Sequence, residues 1–335
     1  MSKKSKKSAN VKSSILVLLL IAILLIASTY AWFTANKTVS ISTLDVKVEA
    51  QNGLQISADG EKWKGVLSLA DITAGYGTDT NQIPTTMEPV STIGEVENGK
   101  MKMYYGSVGK DTAGDYALSA TAETTETKGT NGKYIAFDVF LKVDADTNIT
   151  LSANSNVVPK KDTTDRGLQN AARVAFLHEG TLDSTAGAAA FQAKNDAVSF
   201  GASGATTYIW EPNSDVHTAK AVTIAKDTYG ITTTETGASP IPYYGVKQEI
   251  DSATPIKLKA TNDGTDTTNF TLISGHTTTS KTMTDVKDFL KLKAGVTKVR
   301  IYMWVEGQDV DCENSASGSD ISFNVEFIAQ DQKAG

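Results

Sequence analysis

The chain has 335 residues, with 32 Lys and Arg against 38 Asp and Glu, a net charge of −6 and one cysteine, Cys312. A single cysteine excludes an intrachain disulfide framework, so a domain outside the cytoplasm must be held by its core, which this length can bury. Five lysines lie before residue 13, and removing them takes the net charge from −6 to −11. That acidity argues against nucleic acid and anionic lipid as partners.

Lys3, Lys4, Lys6, Lys7 and Lys12 precede an uncharged apolar run over residues 15–28, followed by Thr29-Tyr30-Ala31-Trp32-Phe33. A basic head, an apolar middle and small residues at Thr29 and Ala31 predict a signal peptide over residues 1–31, cut between Ala31 and Trp32. The uncharged span 13–36 is also long enough to cross a bilayer, so an uncleaved transmembrane anchor is the alternative. Either way the lysines stay inside, and the rest is predicted to be secreted or held on the extracellular face of the membrane.

Residues 32–50 read as an extended N-terminal strand segment. Val39 and Ile41 share one parity, and Leu44, Val46 and Val48 share the other. The slip at Ser42-Thr43 predicts a bulge, or two strand pieces belonging to different sheets. Asp59-Gly60 between two short apolar segments is a hairpin signal. Residues 71–100, rich in Gly, Thr, Asn and Pro, read as a long surface loop.

A strand is predicted over 116–124 and another over 134–143. The second carries Ile135, Phe137, Val139, Leu141 and Val143 on a buried face, and Ala136, Asp138 and Lys142 on an exposed one. Residues 148–153 read as its neighbour. In 167–177 the alanines predict a short helical turn, leaving 173–177 as strand. The pattern weakens over 181–284, which reads as an inserted, loop-rich subdomain. Residues 284–292 read as a helix with Thr284 as N-cap. Residues 299–305 and 321–327 alternate as strands, joined by a solvated hairpin loop with Glu306, Asp309, Asp311 and Glu313. Together these elements predict an all-β fold. It is an antiparallel sandwich of jelly-roll type over residues 51–330, with long loops and minor helices, behind an N-terminal hydrophobic helix. Phe137, Leu141, Ile301, Met303, Phe323 and Val325 should be buried on facing sheets.

The chemistry is sparse. His178, His217 and His276 have no metal-ligand spacing, and no catalytic, metal or cofactor residues are expected, so the chain reads as a non-enzyme. Cys312, beside Asp311 and Glu313, is a poor nucleophile candidate. The acidic loop does not follow the twelve-residue Ca²⁺-loop spacing. Trp210, Trp304, Tyr243 and Tyr244 read as core or loop anchors ahead of sugar-stacking surfaces.

Tyr30-Ala31-Trp32-Phe33-Thr34, followed by Leu44-Asp45-Val46-Lys47-Val48, resembles the start of TasA/camelysin-like exported proteins of Gram-positive bacteria. The stretch from Arg300 to Gly307, with Asp309, Asp311 and Cys312, is similar to the closing hairpin of clostridial-type relatives. The resemblance implies a jelly-roll sandwich with one of two roles. One is a biofilm-matrix fibre, a homo-oligomer in which the N-terminal segment of each subunit completes the next subunit's sheet. The other is a surface metalloprotease, whose histidine pair is missing here. A monomeric, membrane-anchored adhesin is the further alternative. A type IV pilin would continue its apolar helix past the junction, where this chain turns to β-branched residues. On the fibre reading the assembly strand carries Trp32, Phe33, Val39 and Ile41. Residues 32–41 should then leave the body of their own chain while 44–48 stay.

Overall fold

The computed structural model describes residues 32, 38–49, 53–123 and 126–330. Residues 1–31, with the predicted signal and its Thr29 and Ala31 positions, lie outside them, as does Phe33. Among the described residues no helix is long and apolar enough to cross a membrane.

The chain opens with β1 (Val39–Glu49) and β2 (Gln55–Ser57). After β2 it reverses through Asp59-Gly60, and Lys64 returns to pair with Ile56 through both backbone groups. The side chains of Ser57 and Asp59 accept the turn amides of Gly60, Glu61 and Lys62, which is how an Asp-Gly turn satisfies its backbone. β3 (Val66–Leu67) leads into a short helix, Leu69–Ala74, opened by a Ser68/Asp71 capping box. The expected surface loop over 71–100 is corrected. It holds β4 (Thr86–Met87), β5 (Val90–Ser91), β6 (Val96–Glu97) and β7 (Lys100–Met101), and it buries Asn81, Gln82 and Met87. Its Gly and Asn residues make turns, but its backbone pairs with the sheet, as where Gln82 exchanges both hydrogen bonds with Ala136. β8 (Met103–Lys110) and β9 (Tyr116–Glu123) form a hairpin.

Then come β10 (Ile135–Val143), β11 (Thr147–Leu151), β12 (Asn156–Pro159), a 3₁₀ turn at Leu168–Ala171, β13 (Ala172–Leu182) and β14 (Thr207–Glu211). The small strands β15 (Tyr243–Val246), β16 (Ile256–Lys257), β17 (Phe270–Ile273) and β18 (Thr277–Thr278) follow. Residues Val286–Leu292 form strand β19 in place of the expected helix. Pairing with β11 and burial of Phe289, Leu290 and Leu292 override the local helical pattern. β20 (Gly295–Val305) and β21 (Asp320–Ala329) close the chain.

Two large sheets enclose the main core. One runs β19-β11-β21-β1-β3, with β12 also on β21 and β4 on β1. The other runs β18-β14-β13-β20-β10-β2. Phe137, Leu141, Ile301 and Met303 project from the second sheet, and Phe323 and Val325 from the first, into one buried cluster. Residues 148–153 lie in the sheet opposite β10, so they are not its neighbour. Residues 306–319 arch from β20 in one sheet to β21 in the other, so the predicted closing hairpin is also corrected.

The slip in β1 is a bulge: its parallel pairing with β21 shifts register between Ile41 and Thr43. The extra residue reverses the parity, so Val39, Leu44, Val46 and Val48 are buried in one core, with Ile41 packed against it. The two-sheet reading therefore falls. So does the expectation that 32–41 would leave its own body, since Val39 is fully buried and Trp32 is 1% exposed.

Trp32 belongs to a second core made by β8, β9 and residues 221–270, including Tyr104, Leu118, Ile224 and Phe270. The region 181–284 thus supplies β14 and β18 to a main sheet and much of this second core. A third cluster covers the outer face of the second sheet, where Ala136, Ala175, Leu177, Tyr302 and Trp304 meet Val90, Met101 and Met103. On the face of β10 expected to meet solvent, Ala136 and Asp138 are therefore buried and Lys142 is half-buried.

Candidate functional site

Burying that outer face traps its charges. The register sets Asp138 of β10 opposite Arg300 of β20 and Lys298 opposite Phe140. On the other side of β20, β13 carries a bulge between His178 and Gly180, and Glu179 is its extra residue. The Arg300 guanidinium donates to Asp138 Oδ1 at 2.7 Å and to Glu126 Oε2 at 2.6 Å. Tyr302 and Tyr134 donate to Glu126 Oε1, at 2.7 and 3.2 Å, and Tyr76 donates to Asp138 Oδ2. Lys298 Nζ lies 3.4 Å from Asp138 Oδ2 and 2.9 Å from Glu179 Oε2, and donates to the carbonyls of Gln192 and Lys194.

The two carboxyls that Lys298 bridges are driven apart in acidity. Burial works against the Asp138 charge, but Arg300 and Lys298 outweigh it and hold the group below its usual range. Burial dominates at Glu179, which is pushed up to about 7 against the opposing pull of Lys298. A raised carboxyl penalises folding once the pH passes the unfolded value of 4.5, and the penalty grows until about 7. Glu179→Gln should therefore raise the melting temperature at pH 8, by up to about 3 kcal/mol of stability, with the gain fading toward pH 4.5. Thermal unfolding of both proteins across that range tests it; an equal gain at every pH would contradict the assignment.

A second buried centre replaces the expected solvated acidic loop. Glu306, Asp309, Asp311 and Glu313 are all buried. Arg173 Nη2 donates to Asp309 Oδ2 at 2.6 Å and to Glu211 Oε1 at 2.9 Å, with its guanidinium over the Tyr243 ring. His276 Nε2 pairs with Glu211, and His217 Nδ1 with Asp311, each at 2.6 Å. Asp309 and Asp311 thus serve as internal partners for β13 and the 213–218 segment, while Glu306 and Glu313 accept from Trp304, Gln308 and Ser315 of their own stretch. A hairpin loop in water would have left them solvated. Burial pushes Glu306 up to about 7 and Asp311 up to about 6, the latter against its hydrogen bond from His217. His178 lies apart from this centre on β13, and burial lowers its pKa. Cys312 is free and buried, and burial together with Asp309 pushes its thiol well up, so it is a packing residue. Trp210, Trp304 and Tyr243 are buried as well. Among the described residues no three His, Cys, Asp or Glu side chains form a group able to hold a metal.

The same loop holds Trp32. The indole Nε1 donates to Gln308 Oε1 at 2.9 Å, and the ring lies on Gly106 and Gly307. A Cβ at either glycine would come within 2.5 Å of the ring, so only glycine leaves the socket open. Of the predicted assembly residues, the structure places Trp32 in this socket and Val39 and Ile41 along the main core. The spacing of Gly106, Gly307 and Gln308 gave no sign that they converge. Compared with models of known families, with curated proteins and with solved structures, the chain matches none.

Proposed function

We propose that this chain is an exported structural protein of the cell surface or extracellular matrix, a TasA/camelysin-like sandwich of jelly-roll type. It assembles into fibres by exchanging its N-terminal segment. The observation that carries this reading is the seat of β1. This strand enters beside the last described one, β21, in parallel, and its other edge pairs, among the described residues, with the two-residue strands β3 and β4. A parallel partner needs no tight turn joining it to its neighbour. The same seat therefore accepts the same segment from a second copy, through backbone bonds and the pockets of Val39, Leu44 and Val46. Cutting between Ala31 and Trp32 would begin the mature chain at the socketed tryptophan.

Ser40 and Asp320 face each other across β1 and β21, and Cys312 is buried and out of reach. Equal amounts of the Ser40→Cys and Asp320→Cys proteins, mixed during assembly and oxidised, should give covalent dimers that neither gives alone. If only the double variant cross-links, and only within its own chain, exchange does not occur. The monomeric, anchored adhesin then stands, a reading favoured by Trp32 and β1 already filling the seats of their own chain.

A further inference from the structure

Glu179 is 1% exposed and lines a cavity of about 170 Å³ over the outer face of the second sheet. Oε2 meets Lys298, but Oε1 has no hydrogen-bond donor among the described residues. A buried carboxylate oxygen without a donor is costly, and such groups in folded proteins are ordinarily satisfied. Its position is built: the bulge in β13 supplies the extra residue that turns this side chain into the cavity. The tip of the β6–β7 hairpin stands over it. Asn98 and Gly99 both have left-handed backbone, and a Cβ at Gly99 would lie 3.2 Å from Glu179 Oε1.

The floor selects against anions. Arg300 spends its donors on Asp138, Glu126 and Thr80, and Lys298 donates to two carbonyls while forming ion pairs with Asp138 and Glu179. An anion would find these cations already neutralised. An apolar ligand would meet walls of Thr78, Thr80, Asn98, Gln192 and Asn195. Amide and hydroxyl side chains both donate and accept, which suits a ligand made of hydroxyls. The cavity has the room of roughly five or six water molecules, enough for one sugar ring. Asn98 and Lys100 also line a larger cavity of about 680 Å³, together with Met101, Tyr104 and Glu123.

We infer that this cleft binds a neutral, hydroxyl-rich ligand, a carbohydrate chain. One ring sits with a hydroxyl donating to Glu179 Oε1, and further rings pass over Asn98 and Lys100 into the larger cavity. This goes beyond the structural role proposed above and does not depend on assembly.

The test is a titration of the full-length protein, followed by calorimetry, with glucose, N-acetylglucosamine and the β-1,4-linked tetramer of each. Ethanolamine and inorganic phosphate serve as charged comparisons. At least one sugar should bind saturably, and its tetramer more tightly. Glu179→Met, which removes the acceptor and fills the space, should weaken that binding at least about tenfold. Glu179→Gln, which keeps an acceptor oxygen, should retain most of it, and Asn195→Ala tests the rim without touching the buried floor. Near-ultraviolet circular dichroism confirms that each variant is folded. The inference is overturned if no sugar binds, if ethanolamine or phosphate binds in preference, or if Glu179→Met binds sugar as the native protein does.

Discussion

Replacing Arg300 by Met should lower the unfolding free energy by about 3–5 kcal/mol. The side chain is 2% exposed and neutralises two carboxylates that are themselves buried, Asp138 and Glu126. Met fills much of the space but leaves both acids facing a cation deficit, and Lys298 is already shared between Asp138 and Glu179. The loss should be smallest at low pH, where the stranded carboxyls can take up protons, and largest above neutrality. Arg300→Lys should lose less, because it keeps the charge while giving up the fork that reaches both acids at once. Lys257 pairs with Asp115 in water, so Lys257→Met should leave the denaturation midpoint where it is. Urea unfolding of the three variants at pH 5 and pH 8 decides the matter. If Arg300→Met unfolds at the native midpoint at pH 8, the network is not electrostatically coupled to the fold.

Phe323→Ala should cost a similar amount, about 3–5 kcal/mol, through the cavity left between the two large sheets. Phe323 is fully buried on β21, opposite Leu44 of β1 and Val157 of β12. Its loss therefore loosens the seat of β1 together with the core. Phe323→Leu, which keeps most of the volume, should cost less than about 1.5 kcal/mol. Leu44→Ala combined with Phe323→Ala should cost less than the two losses added, because the second truncation enlarges a cavity already made. Strict additivity would show that Phe323 and Leu44 do not share one packing site. Leu272, 42% exposed, serves as the neutral control.

Much of the fold was legible from local pattern. Period-two alternation marked β10, β20 and β21 and chose the right inward residues. The break in parity at Ser42-Thr43 marks a bulge or two strand pieces, and the structure has the bulge, while Asp59-Gly60 marks a turn. What failed was the account of what lay on the other side of each strand. Alternation of Ala136 and Asp138 with larger residues is what a half-solvated sheet looks like. Nothing in that spacing reveals that residues from the stretch 71–100, expected as a surface loop, fold across it. Residues 284–292 gave the converse error, since pairing to β11 outweighed a weak helical pattern.

Composition and alternation by themselves determined an all-β chain, the parity of its central strands and the absence of disulfides within it, because these depend only on residue counts and on neighbours in sequence. The charged residues were misjudged in the acidic loop for a different reason. Asp309 and Asp311 are placed by partners from far along the chain, Arg173 and Thr218, while Glu306 and Glu313 accept from Trp304 and Ser315, two residues away. The parity of Trp32 and Val39 gave no hint of Gly106 and Gly307, which open the socket. A buried charge or a fitted ring requires several distant segments to meet. Only the tertiary structure decided which carboxylates were satisfied, which one, Glu179, was left with a bare oxygen, and where the first strand would sit.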